Sequence, residues 1–206
     1  MYKKRLFIVF EGIEGSGKSS HSKAIIKKLK KLHIPSVYLR EPGGSREAES
    51  IRRFILQNKN KNFNPLTDTL LYLAARNENF LKKIKPHYGK KIIICDRFID
   101  STIAYQHYGF GIKKNFINSI NRQIMGKIKP DYTFVMYLNI KKSILRVSKR
   151  KTSNRYDKFK KSFYKKVQNG FLKISNRNSK YMVINSSNNF FVNQDIIFNQ
   201  VKKLIK

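Results

Sequence analysis

Short apolar runs alternate along this chain with longer stretches in which apolar residues recur at helical spacing. Leu6-Phe7-Ile8-Val9-Phe10 reads as a short buried strand, and Ala24, Ile25, Leu29 and Leu32 mark one face of the helix after it. Ser36-Val37-Tyr38-Leu39 reads as a second strand, running into the turn-forming Arg40-Glu41-Pro42-Gly43-Gly44. Residues 45–57 look helical, and a further helix opens with Asn64 as N-cap and Pro65 at its first position. Within it Leu66, Leu70 and Leu73 form one stripe, and Tyr72 and Arg76 share a different face. Ile92-Ile93-Ile94-Cys95, bounded by Lys91 and Asp96, has the continuous apolar character of a strand buried on both sides, which belongs in a parallel sheet. Tyr132–Leu138 and Tyr181–Ile184 are further strand candidates. Helical stretches are predicted near 98–107, 113–126, 141–148, 158–174 and 191–205. Such alternation predicts an α/β fold, a parallel sheet wrapped by helices on both faces.

No internal repeat or linker breaks this pattern, and 206 residues suit one domain rather than two. The basic segment Lys149-Arg150-Lys151-Thr152-Ser153-Asn154-Arg155 has no apolar residue and reads either as a mobile lid or as an exposed connection. One cysteine, Cys95, excludes an intramolecular disulfide framework, suits a reducing cytoplasm and reads as a buried structural thiol. The run from Leu6 to Phe10 is too short for a signal peptide or a membrane span, so no membrane association is expected.

The net charge of +33, from 45 Lys and Arg against 12 Asp and Glu, is that of many nucleic-acid binders. Its distribution argues against a specific nucleic-acid partner. Lysines recur in pairs along nearly the whole chain, as at Lys27-Lys28, Lys82-Lys83, Lys90-Lys91, Lys141-Lys142 and Lys202-Lys203, which is the texture of a solvated coat.

Gly12-Ile13-Glu14-Gly15-Ser16-Gly17-Lys18-Ser19 is a complete phosphate loop, placed between a strand and a helix as its geometry requires. Its glycines let backbone N–H groups wrap a phosphate, Lys18 supplies charge to the outer phosphates, and the Ser19 hydroxyl reaches Mg²⁺. Asp96 closes a buried strand at the edge where α/β folds bind ligands, so it can hold Mg²⁺ beside Ser19 while Arg97 contacts a phosphate. Tyr72 and Arg76 together offer an aromatic plane and a planar donor, suited to a nucleobase, although such a pair also occurs as ordinary packing. His21, His33, His87 and His107 show no metal-binding spacing and are expected to be structural or exposed.

The phosphate loop with Phe10-Glu11 before it, Arg40–Gly44, Leu73-Ala74-Ala75-Arg76, Asp96-Arg97, Ser101-Thr102 and Ala104-Tyr105-Gln106 occur in the order that resembles bacterial thymidylate kinases over almost the full chain. The resemblance implies a three-layer P-loop NTPase-type fold with a five-stranded parallel sheet. It also implies ATP- and Mg²⁺-dependent phosphorylation of thymidine monophosphate (dTMP) to the diphosphate, usually by a homodimer. Residues 12–20, Ser20 included, would bind ATP. Glu14 matches the carboxylate that contacts the sugar 3′-hydroxyl, and Tyr72 stands where the family usually has a stacking Phe. Arg76 would read a base carbonyl, Thr102 would face the base edge, Tyr105 would crowd the sugar 2′ position, and Arg97 would hold the acceptor phosphate. Arg40 and Ser101 belong to the same substrate-binding set. With Gly15 in the loop, the family's catalytic arginine would come from the lid, as Arg150 or Arg155. Asn139 and His107-Tyr108-Gly109-Phe110-Gly111 depart from the family pattern. The remaining alternatives are a nucleotide kinase of the same fold with another base choice and a basic nucleic-acid-binding NTPase.

Overall fold

The computed structural model describes residues 5–57, 63–150 and 155–206. Of the basic 149–155 segment, residues 151–154 therefore lie outside the described residues.

Each apolar run forms a strand: β1 (Phe7–Glu11), β2 (Ser36–Arg40), β3 (Ile92–Asp96), β4 (Tyr132–Tyr137) and β5 (Tyr181–Asn185). All pair in parallel, in the order β2-β3-β1-β4-β5. The helices are α1 (Lys18–Lys31), α2 (Arg46–Gln57), α3 (Pro65–Asn79), the three-residue α4 (Lys85–His87), α5 (Ile99–Thr102), α6 (Lys114–Met125), α7 (Ile140–Ser148), α8 (Lys161–Ser175) and α9 (Phe190–Ile205).

Alternation along the strands explains why both faces of the central strands must be apolar. Ile8, Phe10, Ile92, Ile94, Phe134 and Met136 pack against Ile25 and Leu29 of α1 and Ile197, Val201 and Ile205 of α9. The intervening Phe7, Val9, Ile93 and Cys95 point the other way, toward Phe80, Ile84 and Met125. Cys95 is buried in that second layer, as expected. The two edge strands, β2 and β5, are only partly buried.

Three expectations are corrected. The helix expected over 98–107 is a single α-turn, α5, that widens into π-helix over Ile103–Gly109. A second π-helical segment, Phe80–Ile84, prolongs α3. Of the leucine stripe only Leu73 is buried; Leu66 and Leu70 are exposed, because the core lies under a different face of α3. The helix expected from 158 begins at Lys161, after a 3₁₀ turn over Arg155–Lys158. Asn64 caps α3 as expected, accepting from Leu66 N at 2.8 Å. Asn139, one of the two family departures, caps α7 by accepting from Lys141 N at 3.0 Å.

Candidate active site

The register of β1 and β3 sets Phe10 beside Asp96, so the phosphate loop leaves the sheet next to the carboxylate that ends β3. Gly12 has φ 135°, and a Cβ there would lie 2.4 Å from the Met136 carbonyl, so the loop passes β4 more closely than any side chain permits. Ser143 Oγ of α7 donates to Glu14 O at 2.6 Å, and Arg146 Nη1 donates to Gly15 O at 3.2 Å, tying the loop from the other side. Lys18, buried at the start of α1, donates through Nζ to Ile13 O at 2.7 Å. Burial, aided by the nearby Arg97 charge, pulls its pKa down to about 7. Ser19 and Ser20 are exposed on the first turn of α1. Ser19 Oγ donates to Asp96 Oδ2, and the Tyr38 hydroxyl donates to the same oxygen at 3.3 Å. This hydroxyl and carboxylate are hard oxygen donors, the set Mg²⁺ takes. Among the described residues no cluster of three His, Cys, Asp or Glu suggests a further metal site.

Arg97 sits at the turn after β3 in a left-handed conformation, φ 70°. Its guanidinium donates to Gly12 O at 2.9 Å, Ser101 Oγ at 3.0 Å and Glu14 Oε1 at 2.8 Å. Tyr105 donates its hydroxyl to the other Glu14 oxygen. Burial alone pushes the Glu14 carboxyl up, but Arg97 and Lys18 outweigh it and hold the group below the usual carboxylate range. Behind this cluster Glu11, wholly buried, accepts from Phe98 N at 2.8 Å, Ser101 N at 3.1 Å and Ser101 Oγ at 2.5 Å, which fixes the turn that presents Arg97.

Arg76 is held by three groups from separate parts of the chain. It donates to Glu41 Oε2 at 2.7 Å, Asn121 Oδ1 at 2.9 Å and Thr102 Oγ1 at 2.9 Å, with its guanidinium 5.2 Å from the Phe98 ring centre. Both partners of the Arg76–Glu41 pair are 3% exposed, and burial raises the Glu41 carboxyl despite the arginine beside it. A guanidinium carries five N–H groups, so two remain for a ligand.

Two cavities meet at this cluster. One brings together Glu14, Tyr72, Arg76, Arg97, Ser101, Thr102 and Tyr105, seven of the eight residues expected to bind substrate. The other is lined by Lys18, Ser19, Asp96 and Arg150 and shares Glu14 and Arg97 with the first. Arg40 lines the second cavity rather than the first, and its guanidinium is engaged by Glu49, with Nη2 2.9 Å from Oε2. The two arginines of the basic segment also part company: Arg150 lines the second cavity together with Lys18 and Arg97, whereas Arg155 pairs with the buried Asp68 of α3. The sequence assigns no role of their own to Glu11 and Glu41, although both stand within the motifs that carry the family resemblance, because nothing local marks them as buried; Arg52, Asn121 and Tyr156 carry no local signal.

The histidines take packing and surface positions. His21 stacks on Phe190 with ring centres 4.5 Å apart and bonds to Gln194 through Nδ1 at 2.8 Å, while His33 is exposed.

A family model described as thymidylate kinase matches residues 10–197. The thymidylate kinase of Ehrlichia canis is 41% identical over 187 residues, 89% of each chain. That of Mycoplasma capricolum subsp. capricolum is 36% identical over 203 residues, 97% of this chain and 94% of its own. The crystal structure of thymidylate kinase from Ehrlichia chaffeensis matches with a TM-score of 0.78 at 33% identity, covering 97% of this chain and 99% of that one.

Proposed function

The chain belongs to the thymidylate kinase family, and on that premise we propose how its residues divide the work. The protein transfers a phosphoryl group from ATP to dTMP. The observation that carries the assignment of roles is the junction of the two cavities at Arg97 and Glu14. The cavity beside the phosphate loop would take ATP, and the one lined by Tyr72 and Arg76 would take dTMP, so that donor and acceptor phosphates meet at Arg97. Tyr72 would stack on thymine, and the two spare N–H groups of Arg76 would read its carbonyl at position 4. Thr102 would lie at the base edge, and Glu14, Ser101 and Tyr105 around the sugar. Arg40 would act from the donor side, close to the phosphates.

Phosphoryl transfer needs positioning and charge neutralisation more than covalent help, because the transition state is loose. Lys18, wrapped by residues 12–20, would follow the moving phosphoryl group. Arg97 would fix the acceptor phosphate, and Arg150, which lines the same cavity, would meet the charge. Ser19 and Asp96 would hold Mg²⁺, which when bound would supply positive charge to offset that of the donor phosphates. We further propose one domain with a lid near 149–157. A homodimer is also proposed, to which the exposed Leu66 and Leu70, one turn apart on α3, would contribute apolar surface. A cytoplasmic location accords with the buried lone thiol; among the described residues no helix is long and apolar enough to cross a membrane.

A coupled assay with ATP and each nucleoside monophosphate tests the base assignment. Cytosine presents an amino group where thymine presents a carbonyl and leaves Arg76 unpaired, at about 1 to 3 kcal/mol. The expected result is a dTMP preference of at least about tenfold in kcat/KM; equal values for dTMP and cytidine monophosphate would refute it.

A further inference from the structure

Asp68 and Tyr72 lie one turn apart on α3, and they are engaged by Arg155, the last residue of the basic segment, and by Tyr156 next to it. Asp68 pairs with Arg155. Arg155 Nη2 donates to the Tyr156 hydroxyl at 3.2 Å, and Tyr156 shares a hydrogen bond with the Tyr72 hydroxyl. The four side chains thus form a polar chain, Asp68–Arg155–Tyr156–Tyr72, whose two ends both stand on α3. The Tyr156 ring stands edge-on to Tyr72 and Tyr105, with centroid separations of 6.2 and 5.7 Å, and closes one wall of the acceptor cavity. From α8, Tyr164 donates its hydroxyl to Tyr156 O at 2.7 Å, so the backbone is fastened as well. Asp68 and Tyr156 are almost wholly buried. Stacking on a base needs only the ring of Tyr72. Its hydroxyl adds nothing to that task, and in this structure it is spent on Tyr156.

We infer that Arg155 and Tyr156 are positioning residues of the acceptor pocket: Tyr156 is its wall, and the Asp68–Arg155 pair and the Tyr72 hydroxyl hold it there, leaving Arg150 as the lid arginine that meets the transferred phosphoryl group. This rests on the reading of that cavity as the dTMP site. It separates two arginines that sequence leaves equivalent, and it gives Tyr72 a second task besides stacking.

The test is a double-mutant cycle with Tyr72→Phe and Tyr156→Phe, read both in calorimetric dTMP affinity and in nucleotide-free thermal unfolding. Each single variant is expected to weaken dTMP binding about three- to tenfold, and the double variant no more than the worse single, because both remove the same bond. Additive effects in both readouts overturn the polar chain. Arg155→Ala is expected to raise KM for dTMP at least about tenfold while lowering kcat less than about threefold, with partial recovery in Arg155→Lys. A loss on the order of a hundredfold in kcat at constant KM would instead make Arg155 a transition-state group and overturn the inference. Should Arg155→Ala not fold, the tyrosine cycle decides alone. Wild-type turnover that favours another monophosphate would refute the substrate reading, whereas coupling in nucleotide-free unfolding bears only on the polar chain.

Discussion

Lys18 illustrates how a single residue's environment determines its chemistry. Its ordinary pKa of 10.5 falls to about 7 because burial, with repulsion from Arg97, outweighs the attraction of Asp96, Glu14 and Glu11. Between these values the unfolded chain holds more protons than the folded one. The penalty of burying this ammonium is therefore present at and below pH 7 and is relieved as pH rises. A bound triphosphate reverses the balance by supplying negative charge. ATP binding near pH 8 is accordingly expected to take up about one proton, and ATP affinity to fall as pH rises above about 7. Calorimetry in two buffers of different ionisation heat measures this; identical apparent enthalpies would show that Lys18 is already charged before ATP arrives. The same residue scale explains Arg76, whose three protein partners leave a fixed and partly unsatisfied donor where a flexible side chain would lose selectivity.

Among elements, the contact of α8 with the π-helical segment Ile103–Gly109 supports the cavity that Tyr105 lines. A Cβ on Gly170 of α8 would lie 2.6 Å from the Tyr108 ring, and one on Gly109 would lie 2.7 Å from Phe163 of α8. Each element lacks a side chain where the other inserts an aromatic ring, and Tyr105 is carried on the segment so packed. Gly170→Ala forces Tyr108 out of this place and is expected to destabilise the fold by about 1 to 3 kcal/mol. That corresponds to a melting temperature lower by about 3 to 10 °C. KM for dTMP should rise with it, since Tyr105 shifts with its segment. Scanning calorimetry and steady-state kinetics give both quantities, and an unchanged melting temperature would mean that the contact relaxes without strain.

At the scale of the whole molecule the dominant fact is the charge of +33. Lys27, Lys82, Lys83, Lys90, Lys91, Lys141, Lys142 and Lys203 are exposed, in keeping with a solvated coat, while Lys28 and Lys202 lie half-buried along Phe198. Like charges at this density repel in the folded state, and salt screens them over a Debye length of about 10 Å at 0.1 M. The melting temperature is therefore expected to rise as NaCl increases from about 0.02 to 0.2 M. A flat or falling dependence would show that local pairs such as Lys82 with Glu47 and Glu78 already balance the coat.

Contiguous and periodic residues encode the strands and most helices, through apolar runs and helical spacing, and the phosphate loop, whose backbone wrap needs its glycines in one stretch. The same spacing also places Tyr72 and Arg76 on one helical face, because four positions make little more than one turn. The π-helical widening after Thr102 was not legible, since one added residue per turn barely alters an apolar pattern. Nor was the exposure of Leu66 and Leu70, which depends on what α3 packs against. Which charges meet is settled by the folded arrangement. Glu41 and Asn121 reach Arg76 across 35 and 45 positions, and Glu11 holds Ser101 across 90. Arg155 likewise meets Asp68, and Arg150 lines one cavity with Lys18. Such pairings arise from the order in which parallel strands assemble, and no local spacing encodes them.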